Sequence, residues 1–308
     1  MMTIRLGLVG VGKIAHDQHI PAIKASPAYE LVCTASRQGS VEGIPAYTSI
    51  EAMLDGEQVD AVALCQPPHV RYDAAKLAIE AGKHVFLEKP PGTTQAEVVA
   101  LADLARERGV TLFASWHSRY GAAMDAARDW LAATTIHGIQ AVWKEDVRVW
   151  HPGQEWLWEQ GALGVFDPGI NALSVLTALL PRPFFLREAV LEYPANRHAP
   201  IAADLAYTDA TGLPIGATFD FRQPGPHNWD VHAQTEAGTM LLAKGGNELW
   251  VDGELKTTEP EAEYRGLYAR FAGLIGDGGA VDADTVPLAH VADAFMKGRR
   301  VTVEDFHY

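Results

Sequence analysis

An apolar run that stops at Gly-x-Gly-x-x-Ala, Leu6-Gly7-Leu8-Val9-Gly10-Val11-Gly12-Lys13-Ile14-Ala15, leaves this chain few folds to choose from. The run reads as a buried strand and the residues beyond it as a helix, so the glycines fall at a strand-to-helix turn. There Gly10 permits the tight turn, Gly12 lets the backbone approach a pyrophosphate, and Ala15 keeps the helix close to the strand. The free N–H groups and positive dipole end of that helix then aim at the phosphates. Gly10, Gly12, Lys13 and Ile14 are accordingly the expected dinucleotide contacts. A glycine pair that only caps a helix is the bland alternative, and the strand before and helix after weigh against it.

The second strand, Leu31–Ala35, should end in an acid if the ligand were NAD alone, because a carboxylate grips the ribose 2′-OH. Ser36 and Arg37 stand there instead. A hydroxyl and a planar fork of guanidinium donors suit a 2′-phosphate. NADP is therefore expected to be accepted at least as well as NAD, with a solvated loop arginine as the alternative.

From Ile4 to about Ser115, short apolar runs alternate with helical patterns, as in a parallel sheet with helices on both faces. Strands are expected at Ile4–Val9, Leu31–Ala35, Val59–Cys65, His84–Leu87 and Val110–Ala114. Thr94 and Glu97 form a capping box, and Gly109 stops the helix that starts there. Beyond Tyr120 the pattern changes to alternating stretches at Ile139–Val147, Leu186–Tyr193, Ile201–Tyr207, Ile215–Arg222, Asp230–Thr235 and Thr239–Ala243. The fold class is thus α/β: an N-terminal Rossmann-type doubly wound parallel sheet over 1–120, then an α+β domain with a large open, mostly antiparallel sheet over 121–308. The pattern at Val286–Lys297 is helical, and that helix is expected to return to the first domain. An open sheet must cover its apolar face, which predicts a homo-oligomer.

A formal charge of −14 and the lack of a Lys/Arg-rich block oppose a nucleic-acid partner. No apolar run reaches a membrane span and no leader pattern opens the chain, so no membrane partner and a cytoplasmic location are expected. Cys33 and Cys65 read as buried filler in strands, consistent with a reducing compartment. The twelve histidines show neither His-Glu-x-x-His nor a zinc-type spacing, so no metal is expected.

Two loops fall at carboxyl ends of expected parallel strands, where open α/β sheets bind ligands. They are Gln66-Pro67-Pro68-His69 and Glu88-Lys89-Pro90-Pro91. Gln66, Pro67, His69, Glu88 and Lys89 join the expected cofactor contacts, and Pro90 is a candidate for a cis peptide. Lys89, stiffened by prolines at the mouth of the sheet, can meet cofactor and substrate together, and a desolvated lysine has a tunable charge. Further on, Asp167 and Asn171 lie four apart at the start of an apolar helical pattern, so both can point from one face into a cleft. Asp167 as a simple helix cap is the competing reading.

Gly10-Val11-Gly12-Lys13-Ile14-Ala15, Glu88-Lys89-Pro90 and Gly161-Ala162-Leu163-Gly164-Val165-Phe166-Asp167-Pro168-Gly169-Ile170-Asn171 together resemble the Gfo/Idh/MocA oxidoreductases. Ser36-Arg37, Trp116-His117-Ser118-Arg119, Trp143-Lys144-Glu145-Asp146 and Trp150-His151-Pro152-Gly153-Gln154 resemble the galactose- and arabinose-type sugar 1-dehydrogenases within that family. The resemblance implies a nicotinamide cofactor, NADP or NAD, a sugar substrate and frequent oligomers. It also implies oxidation of a pyranose at C1 to a lactone, on D-galactose, L-arabinose or both. Most family members carry His where Asn171 stands, and Asn cannot exchange protons near neutral pH. Asp167 is therefore the expected base, with Asn171 holding it or the sugar and Lys89 giving electrostatic help or relaying the proton. His117, Glu145, Trp150, His151 and Trp229 are the expected sugar contacts, since sugars present apolar C–H faces beside polar rims. Chemistry at another sugar carbon, reduction of a ketone or imine, and a cofactor-sensing protein without turnover are the alternatives.

Overall fold

The computed structural model describes residues 3–259 and 262–308. Two compact units emerge: residues 3–117 with 262–285, and residues 118–259 with 286–308.

The first unit is built on a seven-stranded sheet in the order Val281–Asp282, Leu112–Ser115, His84–Glu88, Ala61–Leu64, Ile4–Val9, Tyr29–Ala35, Ala46–Tyr47. Every pairing in it is parallel. Ala61–Leu64 and Leu112–Ser115 are buried at every position, as strands covered on both faces must be. From Ile4–Val9 the chain winds outward to Ala46–Tyr47 and then crosses to Ala61–Leu64 on the other side, so the strand order reverses between these two neighbours. The carboxyl ends meet at that switch point: the Cys65 N–H donates to the Val9 carbonyl at 2.8 Å. Here open α/β sheets take their ligands.

Helix Gln95–Arg108 has the expected capping box between Thr94 and Glu97, and Gly109 ends it at φ 65°. Helix Glu263–Gly276 belongs to this unit, and its Tyr268 and Phe271 pack against Phe86, Phe113 and Tyr29.

The second unit carries a nine-stranded sheet in the order Glu254–Thr258, Glu248–Val251, Gly238–Ala243, Asn228–Thr235, Ile136–Lys144, Pro214–Asp220, Ala202–Asp209, Phe184–Pro194, Arg299–Val303. Only the pairs Pro214–Asp220 with Ile136–Lys144 and Arg299–Val303 with Phe184–Pro194 are parallel. Ala217 and Phe219 point inward and are buried, followed by Phe221. The apolar helix Phe166–Leu179 lies on that face, its Phe166 ring edge-on to Phe219 at 5.7 Å.

Several expectations change. Residues 262–285 leave the second half of the chain to complete the parallel sheet and its cover. Val286–Lys297, expected to return to the first domain, is grouped with the second unit, where Phe295 meets Phe166 at 5.3 Å. The strand expected at Ile139–Val147 runs over Ile136–Lys144 and gives way to a helical turn, Val147–Trp150. The cause is Asp146, whose side chain accepts the Arg148 N–H at 2.9 Å and caps that turn. Cys65 lies one residue beyond its strand and is half-buried, whereas Cys33 is fully buried. Among the described residues no helix is long and apolar enough to cross a membrane.

Candidate active site

In the first unit, the glycine turn has the geometry its sequence implies. Gly10 adopts φ +89°, and a Cβ there would stand 2.7 Å from the Gln66 backbone nitrogen, so a side chain is excluded on both counts. Gly12 differs: a Cβ would meet nothing within 4 Å. That open face at a helix start is the cradle a pyrophosphate requires, so these residues fit a dinucleotide. The helix begins with a π-type turn, Ala15–His19, and continues as Ile20–Ala25. Lys13 is exposed and its ammonium pairs with Asp17. Ile14 is half-buried at the same start.

Ser36 follows the strand Tyr29–Ala35, and its hydroxyl forms a local turn with Gln38. Arg37 is exposed and makes no hydrogen bond or ion pair among the described residues, so its guanidinium is available to an anion. Gln66 donates through Nε2 to the Val70 carbonyl at 3.3 Å, while its Oε1 is buried without a partner among the described residues. Pro67 and His69 are exposed beside it.

Lys89 is half-buried and the Lys89–Pro90 peptide is cis. Glu88 departs from expectation: at 4% exposure, its carboxylate accepts from Ser115 at 2.8 Å and from Tyr264 at 3.0 Å, and it lies 3.3 Å from His19 Nε2. Those partners hold the carboxylate, so the Glu88 side chain anchors the strand end that leads into Lys89. Burial opposes the charge on both members of the His19–Glu88 pair. Cys65 and Glu88 outweigh burial at His19 and raise its pKa to about 10. At Glu88 the hydrogen bond and charge of His19 outweigh burial, with His117 and Lys89 adding to them, and hold the carboxyl at about 2. His117 bonds through Nδ1 to Glu263 and stacks on Tyr264 at 5.7 Å.

In the second unit, three ionisable side chains converge. His151, at the end of the Val147–Trp150 turn, places Nε2 3.2 Å from Glu145 Oε1 and 3.9 Å from Asp167 Oδ2. Both carboxylates are buried, Glu145 at 2% and Asp167 at 6% exposure. Trp229 donates its indole N–H to the other Glu145 oxygen at 2.9 Å. Rings of Trp143, Trp150 and His227 surround Trp229 at 6.0, 4.9 and 3.9 Å, which builds an aromatic wall beside the carboxylates.

Asp167 is not a cap, because the N-cap of helix Phe166–Leu179 is Val165 and carries no side-chain bond. One turn on, Asn171 Oδ1 is buried and unpartnered among the described residues, an acceptor that awaits a donor. Of the residues around these groups, His19, Tyr264, His227 and Arg71, whose buried guanidinium donates to the Glu88 and Pro90 carbonyls, were not found from sequence. An arginine in an ordinary helical pattern gives no sign of burial, whereas Tyr264, Leu267, Tyr268 and Phe271 do carry a helical stripe. Among the described residues no group of three or more His, Cys, Asp or Glu side chains is arranged to hold a metal ion.

Residues 4–115 match the model of an oxidoreductase family with an NAD-binding Rossmann fold, GFO_IDH_MocA. Over its whole length the chain is 46% identical to galactose 1-dehydrogenase of Pseudomonas fluorescens, with all of both chains covered. The crystal structure of a D-galactose-1-dehydrogenase protein from Rhizobium etli matches with TM-score 0.96 and 58% identity, covering 100% of this chain and 99% of that one. A 3-ketoreductase from Actinomadura kijaniata, in complex with TDP-benzene and NADP, shares the fold at TM-score 0.84 and 20% identity, with 98% and 100% covered. A glycine cradle at the switch point, the Glu88-Lys89-Pro90 loop and an end-to-end relative at 46% identity converge, and the chain belongs to the Gfo/Idh/MocA family of oxidoreductases.

Proposed function

We propose that this enzyme oxidises an aldopyranose at C1, using NADP or NAD, and releases the lactone. D-Galactose is the first substrate to expect, since relatives at 46% and 58% identity bear that activity in their names. L-Arabinopyranose matches galactose at ring carbons 2 to 4 and lacks only the hydroxymethyl group, so a site that fixes the shared hydroxyls accepts both. The observation that carries the reading is the Glu145, His151, Asp167 trio, with Asp167 3.9 Å and Glu145 3.2 Å from one imidazole nitrogen.

In this scheme Asp167 takes the proton from the anomeric hydroxyl as the C1–O1 double bond forms. A bound nicotinamide would supply the acceptor for the hydride that leaves C1. His151 stands next to Asp167 to receive or balance that proton, and Glu145 keeps the imidazole in place. Asn171 offers its unpartnered Oδ1 to a sugar hydroxyl, and Trp150 and Trp229 face the apolar C–H surface. We assign Lys89 the positive charge that favours the oxyanion, and His117 a hydroxyl contact. Arg37 with Ser36 supports NADP as the preferred cofactor. We also propose a homo-oligomer through the outward face of the nine-stranded sheet, where Val142, Leu241 and Trp250 remain half-buried; sedimentation that reports a monomer refutes it.

A panel of aldoses with both cofactors, followed by product analysis, tests the activity. Lactone from galactose supports it, while silence across the panel points to a sensor. Asp167→Ala should lower kcat about 100- to 10,000-fold with the fold intact. Near-normal turnover in that variant rejects the base.

A further inference from the structure

Arg71 is the first residue of helix Arg71–Glu80 and is 2% exposed, the largest fully buried side chain in the protein's described residues. A guanidinium does not give up its charge, so its burial requires directed acceptors. It has them, and their identity is informative. Nη1 donates to the carbonyls of Glu88 and Pro90, the residues on either side of Lys89. Nη2 donates to the carbonyl of Gln66. Gln66 belongs to the loop that touches the glycine turn, its backbone nitrogen standing 2.7 Å from where a Gly10 Cβ would be. One fork therefore fastens the loop of Lys89 at two points and ties it to the loop beside the dinucleotide cradle.

We propose that Arg71 is a positioning residue for Lys89, which fixes the backbone before and after the lysine and so presents the ammonium at one place relative to the cofactor loop. The proposal rests on the reading of Lys89 as a chemical group. The side chain of Glu88, held by Ser115, Tyr264 and His19, anchors the strand end from the opposite direction, but it grips only one flank of the lysine. Arg71 reaches both flanks. A single ammonium in its place has donors but no fork, so it cannot serve three carbonyls in the same geometry.

A double-mutant cycle separates positioning from general support. Variants R71M, R71K, K89M and R71M/K89M are compared for kcat with galactose at saturating sugar and cofactor. NADPH dissociation constants come from fluorescence titration, and folding is checked by circular dichroism and thermal midpoint. Displacing a reacting group by about an ångström costs on the order of 100-fold, so R71M should lose about 10- to 100-fold in kcat. R71K should recover part of it. If Arg71 works through Lys89, R71M/K89M turns over within about twofold of K89M, because the group being positioned is gone. An equal loss from R71M in both backgrounds overturns the proposal, as does wild-type kcat in R71M while K89M is impaired. Normal turnover in K89M overturns instead the role of Lys89 on which the proposal rests. Should R71M fail to fold, R71K and R71K/K89M complete the same cycle with the same criteria.

Discussion

Gly10 and Gly12 stand two positions apart and answer to different constraints. At Gly10 the backbone has φ +89° and a Cβ would press on the Gln66 nitrogen at 2.7 Å, so the residue serves the fold. At Gly12 nothing described lies within 4 Å of a Cβ, so packing does not require glycine there, and its proposed role is toward the dinucleotide. Gly10→Ala is therefore expected to lower unfolding free energy by about 1–3 kcal/mol. Gly12→Ala should leave it within about 0.5 kcal/mol. The same Gly12 variant should weaken NADPH binding about tenfold, the equivalent of one displaced charge-assisted hydrogen bond. Urea unfolding and fluorescence titration of both variants check this contrast, and unaltered NADPH affinity in Gly12→Ala refutes it.

Arg37 is the second residue with a proposed binding role: an exposed guanidinium without a partner among the described residues, just beyond the second strand. Arg37→Ala should lower the NADP/NAD ratio of kcat/KM about 10- to 100-fold, as loss of a hydrogen bond to a charged group requires. An unchanged ratio removes the 2′-phosphate assignment.

Among the elements, helix Phe166–Leu179 shows how packing overrides propensity. Gly169 lies in its first turns between Asp167 and Asn171, where alanine is a better helix former by about 1 kcal/mol. Yet a Cβ there would sit 2.5 Å from Phe219 Cδ2, with two further ring atoms inside 3.0 Å. Phe219 is fully buried and cannot swing away, so overpacking prevails at about 1–3 kcal/mol. Gly169→Ala should thus unfold at lower urea concentration, and because Asp167 and Asn171 ride on this helix, kcat should fall with it. A more stable variant would falsify the close approach.

Elements were legible in the sequence where local chemistry repeats the global fold. Thr94 and Glu97 announce helix Gln95–Arg108, and strand Ile4–Val9 ends where its apolar run ends. The alternation through Val147 ran on because apolar spacing carries no mark of the cap that Asp146 makes. The hairpin of Glu248–Val251 and Glu254–Thr258 was not among the expected strands, although its turn pair Asp252-Gly253, both at positive φ, favours such a connection. Arg71 was not legible: the acceptors that hold it include the backbone carbonyls of Gln66, Glu88 and Pro90, and carbonyls have no sequence signature.

At the scale of the whole molecule, the chain crosses between its units, and residues 262–285 finish a domain whose other strands end at Ser115. Periodicity could not reveal this, since it reports which face of an element is buried and not which core receives it. The crossing matters for stability because helix Glu263–Gly276 brings Tyr264 and Tyr268 onto the buried His19–Glu88 pair, with Tyr268 bonded to His19 Nδ1 at 2.8 Å. His19 is raised from 6.5 to about 10, so its contribution is complete below pH 6.5 and is lost as pH climbs towards 10, where the unfolded chain has already released the proton. Glu88 is lowered from 4.5 to about 2, so its contribution is complete above pH 4.5 and is lost as pH falls towards 2. The pair therefore stabilises most between those two inner limits. One proton changes unfolding free energy by at most about 1.4 kcal/mol per pH unit. On the alkaline side the prediction can be isolated with His19→Gln, which keeps a polar group but does not titrate. Denaturation from pH 6 to 10 should show the wild type losing stability more steeply than the variant, the gap between them narrowing as pH rises. Parallel curves across that range would mean that His19 is neutral in the folded protein and that the pair is a hydrogen bond without charge.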